Sequence, residues 1–166
     1  MIKKVILILI VTILGIAPAN AQKRNPSKSA DIVFERKQYN VAIERYKKAY
    51  KKTGKKKYEE ERTYITHQLA ECYRLTEATK LAEAQYKRLM RTEFPKENPE
   101  VYLNYANVLK RNQKYELAAE YYNIYNELMP DDPRGFAALE DMQYIQEWIE
   151  FPSKYEVTRL KKLNSR

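Results

Sequence analysis

Residues 106–126 read ANVLKRNQKYELAAEYYNIYN, with apolar residues recurring three or four positions apart. That period places them on one face of a helix. Two earlier windows repeat the order: ADIVFERKQYNVAIERYKKAY at 30–50 and AECYRLTEATKLAEAQYKRLM at 70–90. Each window opens with an alanine (Ala30, Ala70, Ala106) and has an apolar residue three later (Val33, Tyr73, Leu109). Each then carries a second alanine twelve after the first (Ala42, Ala82, Ala118) and a tyrosine four beyond that (Tyr46, Tyr86, Tyr122). The windows lie 40 and 36 residues apart, and three copies in register mark an internal repeat. Polar stretches (Arg36-Lys37-Gln38, Thr76-Glu77, Asn112-Gln113-Lys114) divide each window into two antiparallel helices joined by a tight turn. Facing alanines let the two backbones approach, and the tyrosine one turn later fills the wedge beyond. A larger side chain at Ala118 is therefore expected to cost about 1–3 kcal/mol by overpacking.

A seventh helix is predicted over PRGFAALEDMQYIQEWI, residues 133–149, with Asp132 as N-cap and Pro133 in the first turn. Ala138, Met142, Ile145 and Ile149 form its apolar stripe, and Trp148 reads as part of the seal over the last open face of the repeats. Phe151-Pro152 ends it, and the tail that follows has an extended alternation. At the other terminus, Lys3 and Lys4 precede the apolar run 5–16, and Ala19-Asn20-Ala21 matches a small-x-small cleavage site. The run falls short of the roughly 20 apolar residues of a spanning helix. It predicts a signal peptide cut after Ala21 and an exported mature chain from Gln22; left uncleaved, the same run would be an anchor. The expected organisation is a signal peptide at 1–21, three repeats within 22–132 (about 26–54, 63–95 and 99–132), a capping helix at 133–150, and a tail or linker at 151–166.

Composition supports an all-α chain of one globular unit: of 166 residues only 3 are glycine, while 15 are tyrosine. The single cysteine, Cys72, excludes a disulfide framework and reads as a small core residue, not a reactive thiol. The formal charge is +9; loss of Lys3 and Lys4 leaves 9 − 2 = +7. Seven lysines crowd into KKAYKKTGKKK (Lys47, Lys48, Lys51, Lys52, Lys55, Lys56, Lys57), so the rest of the mature chain nets to zero. This cluster is either a solvated loop, partly neutralised by Glu59, Glu60 and Glu61, or a patch for an anionic partner. Export and the lack of an aromatic-basic recognition motif argue against nucleic acid.

The repeat resembles the tetratricopeptide repeat. The third copy matches best: Tyr115 and Ala118 open its second helix, Tyr122 follows, and Met129-Pro130-Asp131-Asp132 stands where the family carries its exit proline. The first copy ends instead at Gly54; the second has Thr79 in place of Tyr39 and Tyr115, and a late proline in Phe94-Pro95. The resemblance covers about residues 26–130 and implies a superhelical solenoid of three helix pairs plus a C-terminal capping helix. It also implies a concave wall built from the first helix of each pair: Asp31 and Phe34, then Tyr64, His67, Gln68, Glu71 and Arg74, then Asn104, Asn107, Lys110 and Arg111. Asn104, Asn107 and Arg111 share one helix face, where amides can bond an extended peptide backbone. The family's carboxylate clamp is absent, because Ser27, Asp31, Gln68, Glu100 and Asn104 occupy its places. The tail YEVTRLKKLNS resembles the approach to a β-propeller in envelope proteins that place such repeats before a propeller and an OmpA-like peptidoglycan-binding domain. The PorE-type components of the type IX secretion and gliding machinery are of this kind.

Catalysis has little to work with. One histidine excludes a multi-histidine metal site, no glycine-rich phosphate loop occurs, and His67 and Cys72 are five apart on one helix and point in different directions. No cofactor or metal is expected. The function expected is a non-enzymatic scaffold, exported and periplasmic, associated with the outer membrane, binding other envelope proteins in the groove. Peptidoglycan would be reached through a domain beyond this chain. The alternative is a lysine-mediated adaptor for anionic envelope glycans or lipid headgroups.

Overall fold

The computed structural model describes residues 25–54 and 58–151. The expected signal peptide, Lys55–Lys57 and the tail from 152 onward lie outside the described residues. Among the described residues the chain is all-helical, with no strand. Eight helices follow one another: α1 (Lys28–Glu35), α2 (Tyr39–Lys52), α3 (Glu59–Leu75), α4 (Thr79–Leu89), α5 (Phe94–Glu97), α6 (Glu100–Arg111), α7 (Tyr115–Leu128) and α8 (Pro133–Glu150). The repeat windows become the pairs α1–α2, α3–α4 and α6–α7. Each pair also packs on the next, α2 on α3 and α4 on α6, and α8 covers α7. None of the described helices is long and apolar enough to cross a membrane.

The small-then-large pattern is the core. Ala30, Ala42, Ala70, Ala82, Ala106 and Ala118 are all fully buried, and so are Tyr46, Tyr86 and Tyr122. With only a methyl group at the crossing, paired helices pack backbone to backbone, and the phenol rings fill the space left above. Val33, Tyr73 and Leu109 complete the seam.

The polar breaks close in one way three times. Lys37, Glu77 and Gln113 adopt left-handed backbone with φ of 58°, 60° and 62°. In each turn the following N–H reaches five residues back, Gln38 to Val33, Ala78 to Tyr73 and Lys114 to Leu109, at 2.9–3.0 Å. The left-handed residue's own N–H bonds Phe34, Arg74 or Lys110. This is a Schellman closure, which satisfies the last carbonyls of the first helix and reverses the chain. Glycine usually holds that position; here none does.

Two regions depart from expectation. Phe94-Pro95, read as a late exit proline, lies in an added helical turn: α5 forms there, with Pro95 near its N-terminus and buried. A proline is tolerated in a first turn because its missing N–H would have no intrahelical partner anyway. The second departure is in α8. Asp132 caps it as expected, accepting from Arg134 N at 2.9 Å, and Ala138 and Met142 are buried. Ile149 is 61% exposed, however, and Trp148 is 77% exposed, so neither seals the stack. Helix length explains it. α8 has 18 residues against 14 in α7, and the excess of four residues projects about 6 Å beyond its neighbour.

Candidate partner-binding face

The three buried tyrosines reach from the second helix of each pair to residues of the first helix that the sequence had assigned to the groove. Tyr46 Oη donates to Asp31 Oδ1 at 2.7 Å, Tyr86 Oη to Glu71 Oε1, and Tyr122 Oη to Asn107 Oδ1 at 2.8 Å. The acceptor follows the first alanine of the repeat by one residue and precedes the tyrosine by fifteen. Three of the predicted groove residues therefore serve first as internal acceptors. Burial and the adjacent carboxylate push the Tyr46 and Tyr86 hydroxyls well above the ordinary phenol range, and burial pushes Tyr122 up to about 12. All three remain protonated donors at any physiological pH.

Around Asp31 the first repeat forms a closed polar cluster. Tyr64 Oη, from α3, donates to the same Oδ1 at 3.0 Å, and Ser27 Oγ donates to Oδ2 at 3.0 Å. Burial, then Asp31, raises the Tyr64 hydroxyl to about 12. Phe34 lies edge-on to Tyr39 and Tyr46, at centroid distances of 5.6 and 6.4 Å, as packing within its own pair.

Glu71 is the centre of the second cluster. Besides Tyr86, it accepts from Arg74 Nε at 3.1 Å, Arg74 Nη2 at 2.6 Å and Asn104 Nδ2 at 3.3 Å. Asn104 thus ties α6 to α3, as Tyr64 ties α3 to α1. His67 leans against Phe94 of α5 at 5.1 Å between ring centroids. Burial lowers its pKa, so the imidazole is neutral at neutral pH. Gln68 is half-buried, and its Oε1 has no partner among the described residues. Cys72 is fully buried behind this face; burial, then the charge of Glu71, pushes its thiol up to about 12, which keeps it protonated and unreactive.

The remaining groove residues meet in one place. A cleft of about 300 Å³ between the C-terminal ends of α3 and α6 brings together Arg74, Asn107, Lys110 and Arg111. It also includes Leu75, Glu77 and Val108, which the sequence pattern had not singled out. Glu77, the left-handed turn residue, pairs with Arg111; Lys110 pairs with Asp141 of α8 at 3.6 Å. Asn107 uses its carbonyl on Tyr122 and keeps its amide N–H groups for another acceptor. Exposed Leu75 adds an apolar edge. The sequence marked Glu77 only as part of the polar break Thr76-Glu77, a signal for a turn and not for the groove.

Of the lysine cluster, Lys47 pairs with Glu44 at 3.0 Å, and Lys48, Lys51 and Lys52 are exposed on the last turns of α2. Lys55, Lys56 and Lys57 lie outside the described residues. No protein-family model matches the chain, and no curated protein matches it.

Proposed function

We propose that the chain is a tetratricopeptide-repeat scaffold, a superhelical stack of three helix pairs with a capping helix. In this reading it is exported to the bacterial envelope, performs no chemistry of its own, and holds another envelope protein along its inner face. The likeness of its tail to PorE-type proteins puts that role in type IX secretion and gliding. The observation that carries the reading is the cleft of Arg74, Asn107, Lys110 and Arg111, where side chains of two successive repeats converge. An extended segment with an acidic residue suits it. The segment's backbone carbonyls would accept from Asn107, and its carboxylate would exchange with Glu77 for Arg111.

A photo-crosslinking residue placed at Asn107, in the native envelope, should give one dominant adduct. The same label at exposed Ala84 should not. Asn107→Ala with Arg111→Ala should abolish capture while helicity is retained. Unchanged capture by that double variant would move the binding surface off the inner face.

A further inference from the structure

The start of α3, at the opposite end from the inner-face cleft, borders a second cleft of about 260 Å³. It lies where the C-terminal ends of α2 and α4 meet that start, and Tyr50, Glu59, Arg62, Thr63, Arg88 and Thr92 line it. Its two arginines are unspent. The Arg62 guanidinium lies 3.9 Å above the centroid of the Tyr50 ring. A guanidinium stacked in this way is held in orientation while its in-plane N–H groups stay available to other acceptors. Arg88 Nη1 reaches only Gln85 Oε1, at 3.3 Å. Neither arginine pairs with a carboxylate among the described residues, although Glu59 lines the same cleft. Arg74, Lys110 and Arg111 of the inner face each have one.

The hydroxyls narrow the choice of ligand. Thr92 Oγ1 donates to Leu89 O at 2.7 Å and so is spent. Thr63 makes no such bond among the described residues and can still donate. Two guanidinium forks and a hydroxyl make an oxyanion receptor, and several acceptor oxygens are needed to engage them all. The cleft carries 2 − 1 = +1 from Arg62, Arg88 and Glu59, and exposed Lys51 and Lys52 follow Tyr50 in the last turn of α2. Its volume is below the range of drug-sized pockets, enough for one compact group only.

We propose that this cleft binds a phosphate monoester or diester of glycerol-phosphate size, with Arg62 and Arg88 as its charge partners and Thr63 as a hydroxyl donor. Glu59 weakens the site by like-charge repulsion. The proposal does not rest on the inner face.

The test is a titration of the ¹⁵N-labelled chain with glycerol 3-phosphate at fixed ionic strength, following the arginine Nε–H signals and the Thr63 amide. Saturable shifts at Arg62, Arg88 and Thr63 are expected. Arg88→Gln, on an exposed residue, should weaken binding about tenfold or more, the loss of one charge-assisted contact. Glu59→Gln should tighten it, a gain that a merely structural residue would not give. Should Arg62→Gln unfold the chain by freeing Tyr50, Thr63→Ala takes its place. Inorganic phosphate with equal affinity would identify the free ion as the source. Sedimentation with phosphatidylglycerol vesicles but not phosphatidylcholine vesicles, lost in Arg88→Gln, would identify a lipid headgroup. Absence of saturable shifts with both glycerol 3-phosphate and phosphate, or shifts unchanged by Arg88→Gln and Thr63→Ala, would overturn the proposal.

Discussion

Tyr122 shows what a single side chain contributes at each helix pair. Its ring fills the wedge above Ala118, and its hydroxyl donates to Asn107 across the pair. Removing only the hydroxyl separates the two effects: Tyr122→Phe keeps the packing and leaves Asn107 Oδ1 without its donor. We expect a loss of about 1 kcal/mol in denaturant unfolding, with no change in the slope. The ring positions were legible because alanine and tyrosine differ so much in volume. Their partners were not, because Asp31, Glu71 and Asn107 have in common only the ability to accept. His67 carries the second prediction at this scale. Its pKa is lowered by burial, while Glu71 raises it and Arg74 lowers it. The folded chain therefore binds fewer protons than the unfolded chain just below the ordinary histidine value of 6.5. Its contribution is complete above that value and is lost as the pH falls through it toward the lowered pKa. Denaturation midpoints should drop as the pH falls below about 6.5, and His67→Phe, which keeps a ring against Phe94, should flatten that drop.

Between elements, the three turns share a conformation that no glycine supports. Lys37, Glu77 and Gln113 hold φ near 60°, where an L residue loses about 1 kcal/mol relative to glycine. Gln113 has no side-chain bond to forfeit among the described residues, so Gln113→Gly should stabilise the chain by roughly that amount. Gln113→Val should destabilise it by more, since a β-branched side chain crowds a left-handed backbone. Chemical unfolding of both variants checks the pair; a Gln113→Gly variant less stable than the parent, or a Gln113→Val variant as stable as it, would refute the turn geometry. The sequence marked these segments as turns through their polarity but withheld the handedness, which glycine normally announces. In the same way Phe94-Pro95 read as an exit, yet proline also starts helices, and α5 forms there. Gly135 shows the reverse case. A Cβ there would strike Asn126 Oδ1 and Tyr125 Cδ1, so this glycine serves the close approach of α8 to α7. A helical pattern alone does not reveal that contact.

For the molecule as a whole, the last helix determines where the packing stops. Gly135, Ala138 and Met142 lie on the covered side of α8, and Arg134 fastens its start by bonding Asp132, Tyr125 Oη and Glu100. The fastening is electrostatic as well: Arg134 and Tyr125 hold the Asp132 carboxyl well below the usual carboxylate range. Beyond Met142 the cover thins: Tyr144 faces solvent, and the overhang presents Trp148, Ile149 and Phe151. A stripe read from spacing assumes that a neighbour extends alongside it, and the relative lengths of α7 and α8 remove that neighbour. Trp148 is the sole tryptophan of the chain, so its emission reports on this overhang alone. In the folded chain it should emit as a water-exposed indole and be quenched readily by acrylamide. On heating, its spectrum should shift little while far-UV circular dichroism loses the helices, because an exposed indole has little further solvent to gain on unfolding. A shielded, blue-shifted emission that moves red in step with the helical signal would mean that the end of α8 is covered in solution.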